Sequence, residues 1–139
     1  MAQGVRPDVA QAPQPLIYLD THVVAWLYAG TTRKLSPTAK RAIEHGELRI
    51  APIVQLELEY LFELRRVRER AAPVLATLAD RMGLSVCDRH PAHVVARACE
   101  LSWTRDVFDR MIVAQASINA DTLLSADESI RAHYPKARW

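Results

Sequence analysis

The sequence predicts an α/β domain built on a parallel sheet with helices on both faces. Short apolar runs of strand length alternate with longer stretches of helical period, the order that generates crossover connections. Proline and glycine punctuate this alternation where helices begin and end. The length of 139 residues suits one domain with a core of its own and falls short of two.

Met1 to Pro15, rich in Gln, Pro and Ala, reads as a flexible N-terminal tail, with residues 16–139 as the folded domain. Leu16-Ile17-Tyr18-Leu19, bounded by Pro15 and Asp20, is a strand buried on both faces. Val23, Val24, Trp26, Leu27 and Tyr28 predict a helix over 21–28 that stops at Gly30. Ser36 and Pro37 supply the cap and first turn of a helix running to His45 and ending at Gly46. Leu48 to Ile50 is a second strand. Pro52 opens a long helix through about Arg68, Pro73 opens another that stops at Gly83, and residues 84–87 form a third strand. Pro91 starts a helix to about Leu101, and a further one spans Val107 to about Asn119. Thr122-Leu123-Leu124 is the fourth strand, a last helix covers Asp127 to His133, and Tyr134 to Trp139 reads as an added edge strand.

Half of the residues are hydrophobic, 24% are charged and the formal charge is +2. That excludes a disordered chain and non-specific attraction to nucleic acid by bulk charge. No apolar run approaches the roughly 20 residues of a membrane span. Cys87 and Cys99 make no disulfide framework, and the N-terminus lacks a signal peptide's basic start and apolar stretch, so a reduced, cytoplasmic setting is expected. With glycine only at Gly4, Gly30, Gly46 and Gly83 there is no phosphate-cradling loop. Ser36, Thr104 and Ser125 have no partners at a triad spacing. The histidines have no metal-ligand spacing: His22 is expected to pack or lie exposed, and His90 and His93 to be structural. Arg65, Arg66, Arg68 and Arg70 read either as an RNA-phosphate patch or as a solvated end of the long helix.

The acids carry the chemistry. Asp20 directly follows the first strand and Asp127 closely follows the fourth, so both sit at the carboxyl edge of the sheet, where ligands bind in this architecture. Each is also placed to cap the next helix. Glu57 interrupts the apolar stripe Ile53, Val54, Leu58, Leu61 and Leu64, whereas Glu59 and Glu63 point away and read as solvated. Asp109 shares an inward helical face with Ile112, Val113 and Ala116, and Asp106 reads as the cap of that helix, paired with Arg105 or Arg110. Carboxylates on apolar stripes are costly unless paired or metal-bound. Clustered acids either raise a pKa or hold a hard cation, and few protein ligands suit Mg²⁺ or Mn²⁺ acting on a phosphodiester.

Four segments then resemble one family. They are Leu19-Asp20-Thr21-His22 with Trp26-Leu27, the run from Pro52 to Leu58, the run from Arg105 to Ala116, and Thr122 to Glu128. In this order and spacing the chain resembles a PIN-domain ribonuclease, specifically the VapC-type toxins of toxin–antitoxin pairs. The resemblance implies a PIN-like three-layer α/β/α sandwich with a central parallel sheet. It implies a Mg²⁺- or Mn²⁺-dependent endoribonuclease whose acids fall on Asp20, Glu57, Asp109 and Asp127, both as catalytic residues and as metal ligands. It further implies RNA as substrate, a cognate VapB-type antitoxin as partner, and a homodimer. Val107 stands where relatives often carry Pro, and Ala51 where Ser is frequent.

Two other readings stay open. One is a catalytically inactive PIN-like module that binds RNA or a protein, its acids serving as caps and ion pairs. The other is a phosphatase with Asp20 as nucleophile, disfavoured because His22 occupies the place of the second acid of an Asp-x-Asp pair.

Overall fold

The computed structural model describes residues 14–139, so the tail expected at 1–15 lies, as far as residue 13, outside the described residues. Leu16–Leu19 forms β1, Thr21–Ala29 α1, Pro37–His45 α2, Glu47–Ile50 β2, Pro52–Glu63 α3 and Ala71–Met82 α4. Ser85–Val86 is β3, Pro91–Cys99 α5, Val107–Ser117 α6, Thr122–Leu124 β4, Glu128–His133 α7 and Ala137–Arg138 β5. A short 3-10 turn at Thr32–Lys34, which the sequence did not predict, links α1 to α2.

The strands of the described residues form one all-parallel sheet in the order β3-β2-β1-β4-β5. The chain steps outward from β1 through β2 to β3, then returns across the sheet to β4 and β5. Right-handed crossovers in opposite directions place their helices on opposite faces, which gives the three-layer sandwich. β1 therefore has neighbours on both sides and covers on both faces, and Ile17, Tyr18 and Leu19 are all buried. Their side chains alternate across the sheet. Tyr18 donates its hydroxyl to Cys87 Sγ at 3.1 Å, beside Gln115 of α6, which donates to the same sulfur at 3.2 Å. Ile17 packs toward Gly46 and α2 on the other face.

Helix boundaries follow local chemistry. Gly30 and Gly83, both at positive φ, close α1 and α4, and Ser36 Oγ accepts from Ala39 N at 3.0 Å to cap α2. Ala51 makes no side-chain cap, but Pro52 at the first turn gives up no helical hydrogen bond. α3 stops at Glu63, short of the predicted Arg68. Arg65 turns to φ 62, Arg65 N donates to Phe62 O and Arg66 N to Leu61 O, a Schellman closure with arginine where glycine is usual. The arginines from 65 to 70 thus lie in the turn between the two helices, with Arg65 and Arg66 closing α3 and Arg70 at the N-cap of α4. α4 begins at Ala71, ahead of Pro73, because Glu59 accepts from Ala71 N at 3.1 Å and holds Arg70 at 2.5 Å. Glu59 is accordingly an organising residue and not a solvated one. On α3, Val54 and Leu58 are buried, but Leu64 at the end of the predicted stripe is exposed. β3 shrinks to two residues at the sheet edge, and the predicted edge strand is β5.

Candidate active site

The loops after β1 and β4 diverge in opposite directions, α1 toward β2 and α7 toward β5. The crevice between them is the topological switch point, and Asp20 and Asp127 open onto it from its two sides. Asp20 is only 3% exposed. Its Oδ1 accepts from Thr21 N at 2.8 Å, and its Oδ2 accepts from Ser125 Oγ at 2.7 Å. Ser125 Oγ in turn accepts from Asp127 N at 3.1 Å, so one buried hydroxyl joins the two loops. Asp127 Oδ1 accepts from Ile130 N at 2.9 Å and caps α7.

Two more helices bring the remaining acids to this edge. Asp106 Oδ1 accepts from Asp109 N at 2.9 Å, which fixes the first turn of α6 and leaves the Asp109 carboxylate without a hydrogen bond from any described residue. Ion pairs from Arg105 or Arg110 to Asp106 do not form. Arg105 donates to Ser102 O and Arg110 to the carbonyls of Ala98 and Cys99. Glu57 reaches from α3 to accept from Thr21 Oγ1 at 2.5 Å. Residues 36 apart in sequence are thereby joined, and Glu57 sits beside the Asp20 loop as its place in the stripe predicted.

The charges act on one another. Burial raises the Asp109 carboxyl first, and the negative charges of Asp106, Asp20, Asp127 and Glu57 add to it, pushing it up to about 7. Glu57 is also raised, foremost by burial; the Thr21 hydrogen bond opposes this, while Asp20 and Asp106 reinforce it. All four sequence-predicted acids therefore share one electrostatic site, and Asp106 joins them besides capping α6. Among the described residues, no three His, Cys, Asp or Glu groups close tightly enough to grip one ion by themselves. The donor set is instead a group of hard carboxylate oxygens at coulombic range, with the half-buried Asp109 charge uncompensated. That fits a small hard cation which keeps part of its water shell, as Mg²⁺ does.

Thr21 and Ser125 are parts of the site that residue patterns did not single out. Each was legible in position, Thr21 immediately after Asp20 and Ser125 immediately after β4, where a hydroxyl points into the crevice. His22, expected to pack or lie exposed, does pack, but with its ring nitrogens turned to the two loops. Nε2 accepts from Ala126 N at 3.0 Å, and Nδ1 stands 3.5 Å from Asp20 Oδ2.

Comparison with known proteins agrees with this architecture. The sequence profile of the PIN domain matches residues 17–134. Ribonuclease VapC22 of Mycobacterium tuberculosis (strain ATCC 25618 / H37Rv) is 34% identical over 120 residues, spanning 84% of this chain and 91% of that protein. Among solved structures, a toxin–antitoxin complex from Klebsiella pneumoniae superposes with a TM-score of 0.63 at 16% identity, over 88% of this chain and 96% of the other. VapBC2 from Rickettsia felis, bound to a DNA fragment from its promoter, superposes with a TM-score of 0.62 at 15% identity, over 88% and 95%. At such identities the superpositions establish the PIN fold. The profile match and the mycobacterial relative go further, and this chain belongs to the PIN-domain family as a VapC-type member.

Proposed function

We propose that this chain is a Mg²⁺- or Mn²⁺-dependent endoribonuclease toxin that cuts RNA phosphodiesters in the cytoplasm, works as a homodimer and is neutralised by a cognate VapB-type antitoxin. The observation that carries the reading is the Asp109 carboxyl, raised to about 7 by burial and by the charges of Asp106, Asp20, Asp127 and Glu57. Such a grouping destabilises the fold unless a cation offsets it, and this energetic cost is explained by a function that uses the cation. The name of the mycobacterial relative, a ribonuclease, supports the activity. The likeness to chains of toxin–antitoxin assemblies supports the partner.

Asp20, Glu57, Asp109 and Asp127 are the residues that would hold the metal. When bound, a divalent cation there polarises a phosphodiester and lowers the pKa of a bound water. Ser125 and Thr21 keep the Asp20 and Glu57 carboxylates in fixed rotamers, so their lone pairs face the crevice without reorganising. Three helices, α1, α6 and α7, begin at this edge, and their N-terminal dipoles favour the phosphate anion.

A second reading draws on the caps: Asp20 and Asp127 each satisfy a helix N-terminus, which is all a non-catalytic binding module needs of them. One experiment separates the two. The purified chain is incubated with single-stranded RNA and Mg²⁺ or Mn²⁺, with EDTA and Asp109→Asn as controls. Cleavage that requires both the metal and Asp109 is expected. No cleavage, together with no metal binding by calorimetry, selects the binding module.

A further inference from the structure

We infer that His22 is a positioning residue for the metal site, acting as an imidazole clamp between the two loops that carry Asp20 and Asp127. The inference rests on the metal-dependent reading above. A backbone N–H can only donate, so the 3.0 Å contact from Ala126 N makes Nε2 the acceptor and places the ring proton on Nδ1. Nδ1 stands 3.5 Å from Asp20 Oδ2. His22 thus ties α1, on one side of the crevice, to the residue directly before Asp127 on the other. Ser125 makes the same tie one residue earlier, through Asp20 Oδ2 and Asp127 N. Two crossings at adjacent positions fix both the spacing and the rotation of the β4–α7 loop, whereas one would leave it a pivot.

The ring is itself held. Trp26, four residues along α1, packs against it with centroids 4.9 Å apart, and Trp139 stands beside Trp26 on the same flank, 6.4 Å from the imidazole and 5.7 Å from the Trp26 ring. Lys34 sits 5.1 Å from the centre of the Trp26 ring and covers that wall. This indole pair backs one flank of the imidazole, the kind of support that a group holding a metal site's geometry requires. It also assigns Trp139, which follows β5, a place behind the site.

The test compares His22→Gln with His22→Asn in the full chain. Glutamine carries a carbonyl oxygen to the position of Nε2 and can accept from Ala126 N, while asparagine falls short of it. Three readouts are taken: Mn²⁺ affinity by calorimetry, RNA cleavage, and the imidazole ¹⁵N spectrum of the metal-free wild type. The expected spectrum is the Nδ1–H tautomer. His22→Asn is expected to weaken Mn²⁺ binding by about tenfold or more, and His22→Gln to restore most of it at an equal Tm. An Nε2–H tautomer in the wild type, Mn²⁺ binding by His22→Asn equal to that of wild type, or His22→Gln no better than His22→Asn would each overturn the clamp. A wild type that binds no Mn²⁺ overturns the metal-dependent reading, and the clamp with it. A wild type that binds Mn²⁺ beside unaffected variants overturns the clamp alone.

Discussion

Replacing Asp109 with Asn removes a charge that the folded chain holds under strain, and the metal-free protein is expected to become more stable. Burial and then the neighbouring acids move this carboxyl from 3.8 to about 7. Three units correspond to about 4 kcal/mol at about 1.4 kcal/mol each. The group is only part-buried, and solvent screening brings this down to about 1–2 kcal/mol. Against it stands the loss of a carboxylate near the start of α6, worth about 0.3–1 kcal/mol, which leaves about 1 kcal/mol in favour of the variant. Because the folded pKa lies above the unfolded one, the folded state keeps the proton longer. Wild-type stability from this group therefore falls as pH rises from about 4 to about 7 and stays low above that. The variant's advantage should be absent near pH 4 and complete near pH 8, where 1 kcal/mol raises the Tm of a chain this size by about 3 °C. Asn keeps the backbone N–H that Asp106 holds, so the helix cap is untouched. The assay is thermal unfolding in EDTA at both pH values, repeated with Mg²⁺, which should stabilise the wild type and not the variant. An Asn variant no more stable than wild type near pH 8, or one with the same advantage at both pH values, would refute the reasoning.

Three further outcomes are expected. Ser125→Ala removes a buried hydroxyl that serves both Asp20 and Asp127, and should cost about 2–3 kcal/mol in urea unfolding and weaken Mn²⁺ binding; a loss below about 0.5 kcal/mol would count against the bridge. Thr21→Val keeps the side-chain shape but withdraws the donor to Glu57. It should lower cleavage more than stability, and equal losses would show that the hydroxyl matters only to the fold. Gly46→Ala drives a methyl into Ile17 Cγ1 and to 2.8 Å from Ala42 O, and should lower stability by about 1–3 kcal/mol by overpacking, read as a drop in the urea midpoint with cleavage per folded molecule unchanged.

The fold was legible where side chains speak locally. Pro37, Pro52 and Pro91 opened helices, Gly30 and Gly83 closed them, and four apolar runs became parallel strands. The overrun of α3 to Arg68 has a physical source. Its closure uses Arg65 in the left-handed region, a cost set against the two hydrogen bonds to Phe62 O and Leu61 O and one that no residue type advertises. Ala120, at φ 55 with Asp121 N donating to Ala116 O, ends α6 by the same device. Glu57 and Asp109 were legible because charge on an apolar stripe is expensive, and Asp20 and Asp127 because they follow the first and fourth strands at the sheet's carboxyl edge. The hydroxyl and imidazole bridges were not, because Thr21, Ser125 and His22 gain their roles from residues 36, 105 and 104 positions away. The Ser125 and His22 pairings exist only once β4 lies beside β1.

That separation bears on when the site can form as the chain is synthesised. β1 emerges early from the ribosome, yet its inner partner β4 and the Ser125 and Ala126 contacts come from residues 122–126. A nascent chain that has reached residue 119 contains β1, β2 and β3 with their helices but has nothing for the other side of the crevice. The group of carboxylates therefore comes together in one late, long-range step, of the kind that folds slowly because the loop must be closed before the contacts form. Every earlier length of chain is structurally incapable of completing the site.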